Sequence, residues 1–283
     1  MQASLACEAA RSKLEHLGLL VARDALDNVL ESVRLEDLSV AEALDRLLGM
    51  EARARHERTV ETNMKFAGLP YRRTLEEYDF GAQPGLDRDV MDRLSTMRFM
   101  AEGVNVIFLG PPGVGKTHLA VGLTLKAIEA GHKAYFTTMS DLVRKYREAV
   151  RQDRLGRLLG ILARPALLVL DEVGYTQLER PEGSFLFDVI AVRYQRQKPL
   201  ILTSNKSWGR WGEILPDSIM TAALLDRLLH RSITVNIQGE SYRLRDHRKL
   251  GLIPELNSES EGRYADKGCV RQCGVRRVAH PGT

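Results

Sequence analysis

The run Gly110-Pro111-Pro112-Gly113-Val114-Gly115-Lys116-Thr117 constrains this chain more than any other stretch. It follows the apolar segment Val104-Asn105-Val106-Ile107-Phe108-Leu109 and precedes a helical pattern from His118 to Ala130. Strand, glycine-rich loop and helix, in that order, make a phosphate cradle. Gly110, Gly113 and Gly115 give the backbone conformations that side chains resist, so it can approach phosphate oxygens closely. Successive amides then converge as an anion nest at a helix N-terminus. Lys116 supplies a point charge for β- and γ-phosphates, and the Thr117 hydroxyl suits Mg²⁺. The loop and His118 are therefore the candidate ATP-binding residues.

Strands and helices alternate from here on, the sign of an α/β fold with a parallel sheet. Strand one spans 104–109, strand two about 133–137, strand three 167–170, strand four 200–203 and strand five about 233–237. Strand three ends in Asp171-Glu172, delivering two carboxylates to the edge where ligands of such sheets bind. Asp171 is expected to hold Mg²⁺, and Glu172 to polarise the water that attacks the γ-phosphate. Strand four ends in Thr203-Ser204-Asn205, from which Asn205 can reach the γ-phosphate or that water. Arg227 stands among leucines on a later helix, suited to donate to a neighbouring subunit's γ-phosphate.

Ahead of the loop, residues 4–62 carry apolar residues at helical spacing, with breaks at Gly18 and at Glu36-Asp37-Leu38-Ser39, where Ser39 is a helix cap. About three helices are expected, forming an N-terminal helical domain over 1–65. Residues 66–103 read as a connector whose last part, Asp87 to Glu102, is one helix. Its aromatics Tyr71, Tyr78 and Phe80, together with Phe66, either surround the nucleotide base or dock the connector on the core. The ATPase domain is expected over 104–253. Residues 254–283 are polar and aperiodic, a tail expected to be disordered.

The net charge is +4. Residues 1–65 hold 9 Lys/Arg against 12 Asp/Glu, whereas residues 105–253 hold 22 against 14. The basic excess thus sits in the nucleotide-binding core and suggests a polyanion beyond the nucleotide. Arg144, Lys145, Arg147, Arg151, Arg154 and Arg157 fall within about four helical turns, and the first five are the candidate DNA contacts, tracking phosphates without reading sequence. A solvated helix face is the other reading of the same cations. Trp208 and Trp211 are expected to pack under the nucleotide site.

Together, the loop with His118-Leu119-Ala120, Leu170-Asp171-Glu172, Thr203-Ser204-Asn205, Ala222 through Leu228, and Gly239-Glu240-Ser241-Tyr242-Arg243-Leu244-Arg245 resemble the IstB-like proteins. These are AAA+ ATPase helpers of insertion-sequence transposases, akin to the DnaC helicase loaders. The connector Arg73 through Phe80 is similar too, and the resemblance covers roughly residues 35–250. It implies an AAA+ P-loop core with a five-stranded parallel sheet, a small N-terminal helical bundle and a minimal C-terminal lid. It also implies ATP-driven self-assembly on double-stranded DNA and stimulation of a partner transposase. Lys116, Thr117, Asp171, Glu172, Asn205 and Arg227 take the Walker A, Walker B, sensor-1 and arginine-finger roles. Arg243 or Arg245 takes a sensor-2-like position. The family often has two aspartates after strand three, and Glu172 instead favours hydrolysis.

Three cysteines (Cys7, Cys269 and Cys273) in 283 residues make no disulfide framework. With no long apolar run, the expectation is a cytoplasmic protein without a membrane span. Two other functions stay open. One is a helicase loader acting on a replicative helicase. The other is a small-molecule P-loop kinase, which the acidic pair, Asn205 and Arg227 disfavour.

Overall fold

Consecutive apolar residues such as Val106-Ile107-Phe108-Leu109 leave a strand no polar face, so it needs cover on both sides. The computed structural model, which describes residues 2–215, 217–239 and 241–242, supplies that cover. Strands β1 (Asn105–Leu109), β2 (Ala134–Thr138), β3 (Leu167–Val173), β4 (Leu200–Ser204) and β5 (Ser232–Asn236) pair in parallel in the order β2-β3-β4-β1-β5. All five expected strands are present. β3 runs past its expected end at Leu170, through Asp171 and Glu172.

Among the described residues, five α-helices precede the sheet: α1 (Gln2–His16), α2 (Leu20–Glu36), α3 (Val40–Ala67), α4 (Arg88–Ser95) and α5 (Arg98–Ala101). Within it come α6 (Lys116–Glu129), α7 (Met139–Arg151), α8 (Leu155–Ala163), α9 (Arg180–Gln195) and α10 (Ser218–His230). Alternate residues of each strand face opposite layers. Val106, Phe108, Val169 and Ile201 pack with Leu119 and Leu123 of α6. Ile107, Leu168, Leu170 and Leu202 pack with Leu142 of α7, Val189 of α9 and Leu224 of α10. Each such buried side chain contributes about 1.5–3 kcal/mol. Both layers together hold the strand ends, and hence the loops above them, at fixed positions.

The N-terminal helices break where expected. Gly18 is left-handed (φ 68°), and Ser39 caps α3 in a reciprocal box: its hydroxyl accepts from Glu42 N at 3.3 Å, and Glu42 accepts from Ser39 N at 2.8 Å. The cap position of α2 is Leu19, whose apolar side chain cannot accept from the first amides. Glu51 of α3 does so instead, accepting from Val21 N at 2.8 Å and Ala22 N at 3.2 Å. Arg55 Nε donates to Glu51 at 3.1 Å and its other end to Gly18 O at 3.2 Å. A buried carboxylate at a helix N-terminus thus joins the two helices.

The expected boundary at 65–66 falls inside α3, which runs from the bundle onto the core. Asn63 Nδ2 donates to Gly131 O at 3.0 Å, Phe66 stacks on Tyr135 at 5.4 Å, and Lys133 Nζ lies 3.9 Å over the Phe66 ring. The helix expected from Asp87 to Glu102 is two helices. Ser95 and Thr96 hydroxyls bond the carbonyls of Asp92 and Arg93, which competes with helical pairing, and Met97 turns left-handed (φ 59°). The C-terminal lid, Arg243, Arg245, the tail over 254–283, Cys269 and Cys273 lie outside the described residues. No helix among the described residues is long and apolar enough to cross a membrane.

Burial pushes the Glu51 carboxyl up, but the Ala22 amide, Arg55 and the Val21 amide outweigh it and hold it below its ordinary value of 4.5. A depressed carboxyl contributes stability above its unfolded pKa and loses it as pH falls through the native one. Glu51→Gln is therefore expected to lower Tm by a few degrees at pH 7. In circular-dichroism melts, the difference from wild type should shrink toward zero below about pH 4.

Candidate nucleotide site

The loop after β1 folds as its glycines require. Gly110, Gly113 and Gly115 have φ of 154°, 83° and 92°. A Cβ on Gly113 would lie 2.0 Å from Ser241 Oγ, and one on Gly115 2.5 Å from a Tyr78 ring carbon. The loop is thus pressed between the connector and the segment after β5. Tyr78 donates its hydroxyl to Val114 O at 2.9 Å, and Tyr242 N donates to Gly113 O at 3.0 Å. The Tyr242 hydroxyl reaches Asp79 O. Tyr78 therefore docks the connector on the loop, with Phe80 and His118 packed edge-on around its ring. His118 Nε2 lies 2.8 Å from Thr74 O. Phe66 belongs to the separate contact with Tyr135.

Lys116 opens α6 and is 8% exposed. Its ammonium donates to Gly110 O at 2.8 Å and Pro111 O at 2.7 Å. Burial lowers its pKa, while Asp171 and Glu172 pull it back up. The next residue, Thr117, directs its hydroxyl to both Asp171 carboxylate oxygens at 3.0 Å.

Asp171 is 2% exposed. Burial raises its pKa, opposed by hydrogen bonds from Thr203 and Thr117 and from the Glu172 backbone. Thr203 Oγ1 also accepts from Glu172 N at 3.0 Å. The register between β3 and β4 shifts between Leu170 and Val173, so Asp171 and Glu172 sit on a bulge. Glu172 has φ 60° and is exposed, whereas Asp171 turns inward. A left-handed non-glycine residue costs about 1–3 kcal/mol and collects at functional sites. Ser204 donates to Val173 O at 2.6 Å, which ties the ends of β3 and β4. Asn205 follows, its Oδ1 buried and without a hydrogen-bond partner among the described residues.

The structure gathers the loop, Asp171, Glu172 and Asn205 at one end of the sheet. It does not bring Arg227 there. Asn105, the first residue of β1, donates from its backbone to Arg231 O at 2.8 Å and from its side chain to Leu228 O at 3.0 Å. The end of α10 thus lies where the strands begin, opposite the loop. Arg227 stacks 4.3 Å over the Phe187 ring and donates to Ala223 O at 3.2 Å.

The six-cation stretch is not one helix. α7 stops at Arg151, Asp153 turns left-handed (φ 51°), and α8 starts at Leu155. Three of the cations already have partners, one on α7 itself and two on other elements. Arg144 pairs with Asp141 at 2.9 Å and Lys145 donates to the Tyr135 hydroxyl at 3.1 Å. Arg147 pairs with the buried Glu182 at 2.7 Å and with Glu179 at 3.2 Å. Arg151, Arg154 and Arg157 are exposed at the junction. Trp211 is fully buried with Ile214 and Leu215, on the sheet face opposite α6, and Trp208 packs against it at 5.1 Å. They support that layer rather than the floor of the nucleotide site.

The IstB-like ATP-binding protein model matches residues 9–250. The chain belongs to the IstB-like ATP-binding family. A protein of insertion sequence IS5376 in Geobacillus stearothermophilus, named for ATP binding, is 44% identical over 82% of this chain and 92% of its own length. Its counterpart in insertion sequence IS21 of Pseudomonas aeruginosa is 43% identical over 86% of this chain and 89% of its own. Among solved structures, DnaI matches at TM-score 0.52 and 19% identity over 59% of this chain and 92% of that one. DnaA of Aquifex aeolicus, solved with AMPPCP, matches at TM-score 0.52 and 19% identity, covering 68% of this chain and only 59% of that structure. These likenesses carry the fold alone, a parallel α/β core shared with those structures.

Thr203 is the residue that sequence reasoning passed over. Its signal was its place in the polar end of β4, but only the bulge reveals that it serves both the Asp171 carboxylate and the Glu172 amide. Thr203→Val is expected to bind ATP within about threefold of wild type and to hydrolyse it about tenfold or more slowly. Fluorescent-nucleotide titration and phosphate release check the two halves.

Proposed function

We propose that this member of the family is an ATPase that assembles on double-stranded DNA in the ATP-bound state and acts there with a transposase. The observation that carries the reading is the Thr117–Asp171 contact beneath the loop. It sets a hydroxyl and a carboxylate, both hard oxygen donors, side by side, where they would hold a Mg²⁺ ion. Such an ion would supply positive charge to offset that of the phosphates. Lys116 exchanges its two loop carbonyls for phosphate oxygens. The amides of Gly113 to Thr117 hold the phosphates in place.

Glu172, exposed and aimed by its bulge, orients the attacking water and takes its proton. Asn205 supplies a nearby amide to the same water or to the γ-phosphate. Arg227 cannot serve the loop of its own chain, so it serves that of a second copy, and assembly becomes a condition for hydrolysis. Arg151, Arg154 and Arg157 are the proposed phosphate contacts to DNA, because Arg147 already holds α7 to α9. The insertion-sequence origin of the relatives supports a transposase as partner.

Lys116→Ala is expected to lose nucleotide binding, and Glu172→Gln to bind ATP and stay assembled on duplex DNA in sedimentation. Replacing Arg151, Arg154 and Arg157 by Gln should weaken binding to all duplex sequences. It should also lower the salt slope by about 0.9 for each DNA phosphate that is no longer neutralised. Unchanged DNA affinity in that variant would remove the DNA surface. Affinity capture with the full chain should retain a transposase; retention of a replicative helicase instead would make the chain a helicase loader.

A further inference from the structure

Of the fifteen large apolar side chains left exposed among the described residues, eight lie on the N-terminal helices. Three of these, Val40, Leu44 and Leu48, recur every four residues on α3, and Ala52 continues the row, so together they form one ridge along the helix. Leu44 is 53% and Leu48 50% exposed. Beside the ridge runs a groove of about 870 Å³, whose lining includes Ala41, Asp45, Gly49 and Arg53. A Cβ added at Gly49 would meet nothing within 4 Å. Glycine inside a helix costs stability relative to alanine, and no neighbour in this chain requires one there. It leaves the α3 backbone bare, where a second helix can come close.

The charges around Gly49 are of two kinds. Arg46 pairs with Glu36 at 3.1 Å, and Arg55 and Arg58 pair with the buried Glu51 at 3.1 and 3.5 Å. Asp45 and Arg53 are exposed and make no ion pair among the described residues. They stand four residues before and four after Gly49, each about 6 Å from it along the axis. A two-fold rotation about Gly49 that reverses the helix brings Asp45 level with Arg53, and Arg53 level with Asp45. A surface that complements itself under such a rotation fits an isologous contact, in which both copies use the same patch. An unrelated partner would not require that symmetry.

We propose that two copies of this chain pair through this face of α3, antiparallel and crossing at Gly49, with Asp45 of each opposite Arg53 of the other. The ridge of Val40, Leu44, Leu48 and Ala52 on each helix packs into the groove of the other. Two ion pairs flank the apolar centre and set the register. The contact goes beyond the ATPase reading, because it needs neither nucleotide nor DNA.

The test is sedimentation of the full chain without nucleotide or DNA, over a range of concentrations. Wild type should pass from monomer to dimer as concentration rises. Asp45→Arg and Arg53→Asp each set like charges across the seam, and each should need about tenfold or more protein to pair. Both positions are exposed and make no ion pair within the chain, so thermal melts should match wild type. An equimolar mixture of the two variants should pair as wild type does, since every Arg then meets an Asp. The chain carrying both changes should do so for the same reason. Wild type still monomeric at about 100 μM, single variants that pair normally, or failure of either rescue would overturn the proposal. Capture of a transposase that both single variants lose, with self-pairing unchanged, would assign the face to that partner and also overturn it. Because nucleotide is absent, failure here leaves ATP-driven assembly standing, and failure of ATP-driven assembly leaves this contact standing.

Discussion

A carboxylate buried in an apolar sheet has to find donors, and Asp171 finds them in two threonine hydroxyls. Thr117 comes from the helix that leaves β1, and Thr203 from the end of β4. Three neighbouring strands are thereby registered at their upper ends by one side chain. The same arrangement forces the β3 bulge: Thr203 bonds the Glu172 amide as well, so Asp171 turns inward while Glu172 is left outward with φ 60°. The two acidic residues are adjacent in sequence but differ in burial, and hence in the chemistry available to each. A buried carboxylate among hydroxyls suits a metal. An exposed one suits water.

The loop is secured from its outer side by aromatic residues from distant parts of the chain. Tyr78 precedes the sheet and Tyr242 follows it, yet both bond the backbone at Gly113 and Val114. Because Gly115 leaves room for the Tyr78 ring and Gly113 for Ser241, the glycines serve packing as well as phosphate access. The connector and the segment after β5 are therefore both bonded to the loop. On the other side, α3 runs unbroken from the N-terminal bundle to β2, at the edge of the sheet.

Much of this was legible in the sequence because it is local. The loop's spacing, the five apolar runs, the break at Gly18 and the Ser39 cap depend on residues within a few positions of one another. What escaped depends on contacts between distant residues. The period of α3 does not tell that it belongs to both bundle and core. Nothing near Ser95 and Thr96 signals a break except hydroxyls that compete for backbone carbonyls. The six cations between β2 and β3 look like one row in sequence, but Asp153 divides them and Glu182 captures Arg147. Arg227 was recognisable by its place among leucines; its distance from the loop of its own chain required the sheet order.

The loop and Arg227 lie at opposite ends of one chain, so the proposed hydrolytic site needs two chains to bring them together. The most direct measurement is the rate of ATP hydrolysis per chain on duplex DNA, at saturating ATP, across a wide range of protein concentration. A composite site predicts a rate per chain that rises with concentration and levels off where sedimentation shows assembly complete. A rate per chain that stays constant down to concentrations at which the protein is monomeric would contradict it.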